Sequence, residues 1–193
     1  MSKTIFIRFK NTLLPHTKEK NATHEALKLC DYHVNEAFYD LEDDITFKAK
    51  LEDLSRKKII KKKDIDTIDM LKNSMLVDQF TSDVQYDESG LLKALRDVKK
   101  DDKIVVYCSL DKKVIVSYLN STCLSEVVDA IVTLEKTTET QINERFLDNM
   151  IAMYAKNNEY VFWDCNNQTV KKNSKKINFI MSELSSENVR KLL

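Results

Sequence analysis

The spacing of apolar residues along the chain changes several times, and each change predicts an element. Thr4 to Phe9 (TIFIRF) is short, β-branched and aromatic, which predicts a strand. Pro15 punctuates a polar loop, and from Glu19 the spacing becomes helical. Leu27, Cys30, Val34, Phe38 and Leu41 recur at steps of three and four and define one apolar face. Phe47, Leu51 and Leu54 form a second stripe. Asp64 is placed to cap a third helix that turns Ile65, Ile68, Leu71 and Met75 inward. A fourth helix is expected from Asp87 to Val98, with Gly90 in its first turn.

After Asp97 to Lys103 (DVKKDDK) the period becomes two. Lys103 to Tyr107 and Lys113 to Tyr118 flank Asp111-Lys112 and predict a hairpin. Helical spacing returns at Leu124, Val127, Val128, Ile131 and Leu134. Thr138-x-x-Gln141 has the pattern of a capping box for a helix burying Ile142, Phe146, Met150 and Met153. Tyr160 to Trp163 and Ile177 to Met181 flank Asn166-Asn167 and predict a second hairpin. Ser185 is placed to cap a short final helix.

This order predicts a helix-rich α+β chain. An N-terminal strand and a four-helix block come first. A smaller part follows, with two β-hairpins and two to three helices. The charged stretch 97–103 divides a mainly helical unit, 1–98, from a mixed α+β unit, 99–193.

Composition then narrows the chemistry. The chain of 193 residues contains one glycine, Gly90. The dinucleotide fingerprint, the P-loop and the nucleophile elbow each need at least two glycines. Those frames are therefore excluded, and with them the main signals of a nucleotide-binding enzyme. No apolar run reaches the ~18 residues of a membrane span, and Met1 to Lys10 is too charged for a signal peptide. The four cysteines, Cys30, Cys108, Cys123 and Cys165, are scattered, as expected of reduced thiols in a reducing compartment. Lys outnumbers Arg 26 to 5, a codon bias compatible with a virus-encoded factor that disarms a host pathway.

Candidate sites are few. His24-Glu25 begins a zinc-protease motif, but Lys28 stands where the second histidine is needed. Cys30 and His33 offer two ligands on one helix face, and no second pair completes a tetrahedral metal site. Cys123 lies near an expected helix start, the setting that activates a thiol. The carboxylates at 42–44, 87–88 and 101–102 lie in expected loops and helix ends, where they complement helix dipoles. No catalytic residue, cofactor or metal is expected.

The sharpest local features are basic. Arg56, Lys57, Lys58, Lys61, Lys62 and Lys63 place six cations in eight residues. Lys171, Lys172, Lys175 and Lys176 follow Tyr160, Phe162 and Trp163, a pairing of rings and lysines that suits single-stranded nucleic acid. Opposing this, the net charge is zero and arginine is scarce. The stretch Phe47 to Phe80 loosely resembles the middle helices of death-fold interaction domains, and it fits a helix-turn-helix unit or a small helical bundle equally well.

By subtraction, the sequence reads as a non-enzymatic protein–protein interaction module: an adaptor, inhibitor or regulator presenting helix faces to another protein. The alternative is a nucleic-acid-binding or transcription and replication accessory factor using the two lysine clusters. The expected location is intracellular and cytoplasmic, with the nucleus as alternative. The expected partner is another protein or nucleic acid, with no membrane association and a homo-oligomer left open.

Overall fold

A computed structural model describes residues 2–14, 16–39, 44–82, 90–134, 141–156, 159–164, 179–180 and 184–191. Its centre is a five-stranded sheet in the order β3-β2-β1-β4-β5. The strands are β1 (Lys3–Arg8), β2 (Lys103–Cys108), β3 (Ala130–Thr133), β4 (Glu159–Trp163) and β5 (Phe179–Ile180). Every neighbouring pair is parallel. Parallel strands are covered on both faces, which is why TIFIR, KIVVYC and EYVFW read as nearly unbroken apolar runs.

This is an α/β architecture, and it corrects the expected α+β chain with two hairpins. Neither hairpin exists. The run after Asp111 is helix α5 (Lys112–Ser121), not a return strand. Asp111 caps it by accepting from Lys113 N at 2.6 Å. Its buried residues, Val114, Ile115, Tyr118 and Leu119, follow helical spacing that outweighs their β-branched composition. Phe179–Ile180 pairs with β4 in parallel, so the two strands are not the arms of a hairpin. The helix expected over 124–134 is a short 3-10 turn, Leu124–Glu126, followed by β3.

Side-chain alternation divides the core between the two sheet faces. Ile5, Ile7, Ile104, Val106 and Cys108 join the cluster under α3 (Ile65–Ser82), α4 (Leu91–Lys99), α5 and α7 (Ser186–Arg190). Phe6, Val105, Tyr107 and Phe162 join the cluster under α6 (Glu144–Met150) and the π-helical turn Ile151–Ala155. Phe6 stacks on Phe162 with centroids 4.5 Å apart. Met153, expected inside, is exposed on that turn. Ser185 caps α7 as expected, accepting from Asn188 N at 3.2 Å.

Between β1 and β2 the chain builds a helical insertion. It comprises α1 (His16–Leu29), α2 (Phe47–Arg56) and α3, with their own buried cluster of Leu27, Phe38, Phe47, Leu51, Leu54 and Ile68. The stripe expected from Leu27 to Phe38 does not ride one helix. Helix α1 ends at Leu29, and Asp31 turns the chain with φ +60°. Thr46 caps α2 through Ala49 N at 3.3 Å. Helix α3 packs on both α1 and α5, tying the insertion to the sheet layer instead of forming a separate bundle. The capping residue of α6 is Asn143, which accepts from Phe146 N at 2.9 Å; Thr138 lies outside the described residues. No described helix is long and apolar enough to cross a membrane.

Candidate active site at the carboxyl ends of the strands

Successive strands run outward from β1 through β2 to β3, and the chain then returns to place β4 and β5 on the other side. The order reverses between β1 and β4. In open parallel sheets the crevice outside the carboxyl ends at such a reversal is the ordinary ligand site. Here it is filled with charge. Arg8, the last residue of β1, shares its sheet face with Tyr107 of β2, its partner in register. Asp164 directly follows Trp163, the last residue of β4.

Arg8 Nη1 lies 3.2 Å from Asp164 Oδ2, and the Tyr107 hydroxyl donates to the same oxygen at 3.0 Å. From the insertion, Asp44 brings Oδ1 to 2.7 Å from Arg8 Nη2. Arg8, Asp44 and Asp164 are all buried. Burial by itself pulls the Arg8 guanidinium down, but Asp164 and Asp44 together hold it above its ordinary range. Burial pushes the Tyr107 phenol well up, and Asp164 adds to the shift.

A second charged group lies beside the first. Lys10 Nζ contacts Glu19 Oε2 of α1 at 2.8 Å. Lys72 of α3 reaches Glu19 Oε1 at 3.9 Å and sits over the Phe47 ring, 4.2 Å from its centroid. Lys72 is 1% exposed. Burial lowers its pKa against the opposing pull of Glu19 and Asp69. Cys108 at the end of β2 is buried in the field of both groups. Burial pushes its thiol up to about 11, with Lys10 and Arg8 pulling against that rise. Ser109 follows it and is also buried. A cavity of about 20 Å³, room for one water, reaches Glu19 from the insertion side, between His16, Thr23, Phe38 and Phe47.

A divalent cation at such a site would be held by grouped carboxylates. The described residues do not fit one. Asp164 and Asp44 both lie against the permanent charge of Arg8. Among the described residues no three His, Cys, Asp or Glu side chains gather as a metal site.

The residues singled out from the sequence lie elsewhere. Arg56 ends α2, Lys57 caps it, and Lys58 turns with φ +59°. Lys61, Lys62 and Lys63 follow at the 3-10 turn before α3, and all six cations are exposed. Arg56 and Lys57 pair with Asp53, and Arg56 and Lys62 border a surface cleft of about 630 Å³ that Glu52 and Asp66 also line. Trp163 is 1% exposed and packed in the main core, with no face open for stacking. Lys171, Lys172, Lys175, Lys176 and Cys165 lie outside the described residues. Cys123 is exposed with φ +58°. The strand-end residues Arg8, Lys10, Ser109 and Asp164 were not anticipated. Their signal was repeated: TIFIR-F-K, VVYC-S and VFW-D each end an apolar run on a polar side chain.

No protein-family model matches the sequence, and no curated protein matches it. Solved structures match the fold. A putative phosphoglycolate phosphatase from Lactobacillus plantarum aligns with TM-score 0.67 at 10% identity, over 93% of this chain and 86% of its own. CbbY from Rhodobacter sphaeroides in complex with phosphate aligns with TM-score 0.66 at 12% identity, over 84% and 77%. A putative β-phosphoglucomutase from Thermotoga maritima aligns with TM-score 0.58 at 11% identity, over 100% and 98%. Others carry the description haloacid dehalogenase-like hydrolase. At these identities the likeness establishes the fold.

That fold corrects the functional expectation. The non-enzymatic adaptor was reached by subtraction, from the absence of glycine frames, a metal constellation and a recognisable nucleophile, and the viral, host-directed role attached to it rested on codon bias. The fold neighbours include proteins described as a putative phosphoglycolate phosphatase, a putative β-phosphoglucomutase and a phosphonoacetaldehyde hydrolase-like protein, in an architecture whose crevice is formed at strand ends. Side chains there need no glycine loop, so the missing glycine motifs exclude particular frames and not an enzyme.

Proposed function

We propose that the protein is a hydrolase acting on a phosphorylated small molecule, with the phosphate group at the carboxyl ends of β1 and β4. The reaction is phosphomonoester plus water giving alcohol plus inorganic phosphate. The observation that carries this reading is the placement of two buried cations, Arg8 and Lys10, at the point where the strand order reverses. Fixed positive charge in a water-poor crevice stabilises charge developing on phosphoryl oxygens. The guanidinium fork matches phosphate geometry.

The insertion supplies the cover. Asp44, Glu19 and Lys72 descend from it onto the two strand-end cations, so substrate enters only when those contacts part. Several fold neighbours are named for phosphate esters, which supports the substrate class. The three described cysteines are free thiols, which supports an intracellular, reducing location.

The test is phosphate release from a panel of sugar phosphates and small phosphomonoesters by the full-length chain. Release that falls about ten-fold or more in Lys10→Met, with the fold intact by circular dichroism, is expected. An absence of release from the whole panel, at enzyme concentrations that would reveal slow turnover, overturns the reading.

A further inference from the structure

We infer that the phosphate group binds the Arg8 guanidinium in exchange for the Asp44 carboxylate, with no divalent cation between them. This rests on the phosphate-ester reading above and names the group that holds the substrate.

Three observations carry it. First, the two carboxylates on Arg8 are held differently. Asp164 adjoins β4, and its Oδ2 takes both Arg8 Nη1 and the Tyr107 hydroxyl. Asp44 comes from the insertion, so it is the carboxylate on a separate element. Its backbone is tied down, since its carbonyl accepts from Ile142 N at 2.8 Å. The exchange therefore moves the Asp44 side chain and leaves its backbone in place.

Second, Arg8 has donor capacity left. Its Nε is buried with no hydrogen-bond partner among the described residues. The Nη2 approach to Asp44 Oδ1 is an ion pair at 2.7 Å and not a directed hydrogen bond. A guanidinium presents five donors in a plane, and a phosphate brings three oxygens where a carboxylate brings two.

Third, one anion replaces another. A phosphate monoester entering as the Asp44 carboxylate leaves gives Arg8 an anionic partner beside Asp164. A divalent cation at the same place would meet a guanidinium that cannot lose its charge.

Titration of the full-length chain with inorganic phosphate decides the matter, by calorimetry and by thermal shift, in EDTA and in magnesium. Asp44→Asn is expected to bind phosphate about ten-fold or more tightly than the wild type, with equal affinity in both buffers. Arg8→Lys keeps the charge without the fork and is expected to lose about ten-fold. Should Arg8→Lys fail to fold, the Asp44→Asn and wild-type titrations still decide. Equal affinities in those two proteins overturn the exchange. Binding that appears only with magnesium overturns the inference and leaves the phosphate-ester reading standing. Absence of phosphate binding in every condition overturns the inference, while the phosphate-ester reading stands or falls on the release panel.

Discussion

Arg8 at the end of β1 and Asp164 just beyond β4 close the reversal point of the sheet, with Nη1 3.2 Å from Oδ2. The pair is buried, so its halves are unequal to lose. Arg8→Met strands Asp164 and Asp44 without a counter-charge and is expected to cost about 3–5 kcal/mol of stability. Tyr107→Phe removes one hydrogen bond to a charged acceptor that keeps its other partner, and is expected to cost about 1–2 kcal/mol. Urea unfolding of the two variants checks the ratio.

Glu19 is the shared anion of Lys10 and Lys72. Glu19→Gln leaves two buried ammonium groups facing a neutral side chain and is expected to cost about 3–5 kcal/mol. Lys72→Met removes a cation that burial already disfavours, while Glu19 keeps Lys10. Its expected effect is within about 1 kcal/mol of zero, in either direction. Denaturation curves in which Lys72→Met is the more damaging change would contradict this account of the cluster.

The pH dependence at the alkaline end follows from Cys108. Its folded pKa is about 11 against an ordinary 9.0. The folded thiol keeps its proton where the unfolded thiol loses it, so unfolding releases protons in this range. The contribution is complete below pH 9 and is lost as pH rises toward 11, about 3 kcal/mol at most. Tyr118, pushed up to about 12 by burial, with its hydroxyl donating to Leu13 O at 2.7 Å, extends the loss to higher pH. Urea midpoints between pH 8 and 11 are expected to fall less steeply in Cys108→Ala than in the wild type.

Gly90 is the N-cap of α4, with φ +68°. A Cβ added there meets nothing within 4 Å. The cost of Gly90→Ala is therefore conformational and is expected to be about 1–2 kcal/mol. Gly90→Asn, which tolerates the left-handed region better, is expected to cost less. Melting temperatures of the two variants give the order directly.

Much of the local structure was legible in the chain. The strands TIFIR, KIVVY and EYVFW, the stripe Phe47-Leu51-Leu54 of α2 and the Ser185 cap are local patterns, and local patterns survive folding. The misreadings fell where composition and spacing disagree. KKVIVSYLNS is β-branched yet helical, because its buried positions 114, 115, 118 and 119 lie on one helix face and α5 packs that face against the sheet and α3. Residues 130–133 continue an apolar spacing begun at Leu124, yet they extend because Val105 to Cys108 offer an unpaired edge.

By itself the sequence determined which segments are apolar enough to be buried, where several helices begin, and which glycine frames are absent. Tertiary structure alone decided that the strands are parallel and that Arg8, Lys10, Glu19, Asp44, Lys72 and Asp164 meet. The reason is physical. A ladder's direction depends on which distant edge a strand finds, and a charged crevice is assembled from segments more than a hundred residues apart. Neither leaves a periodic trace in the chain.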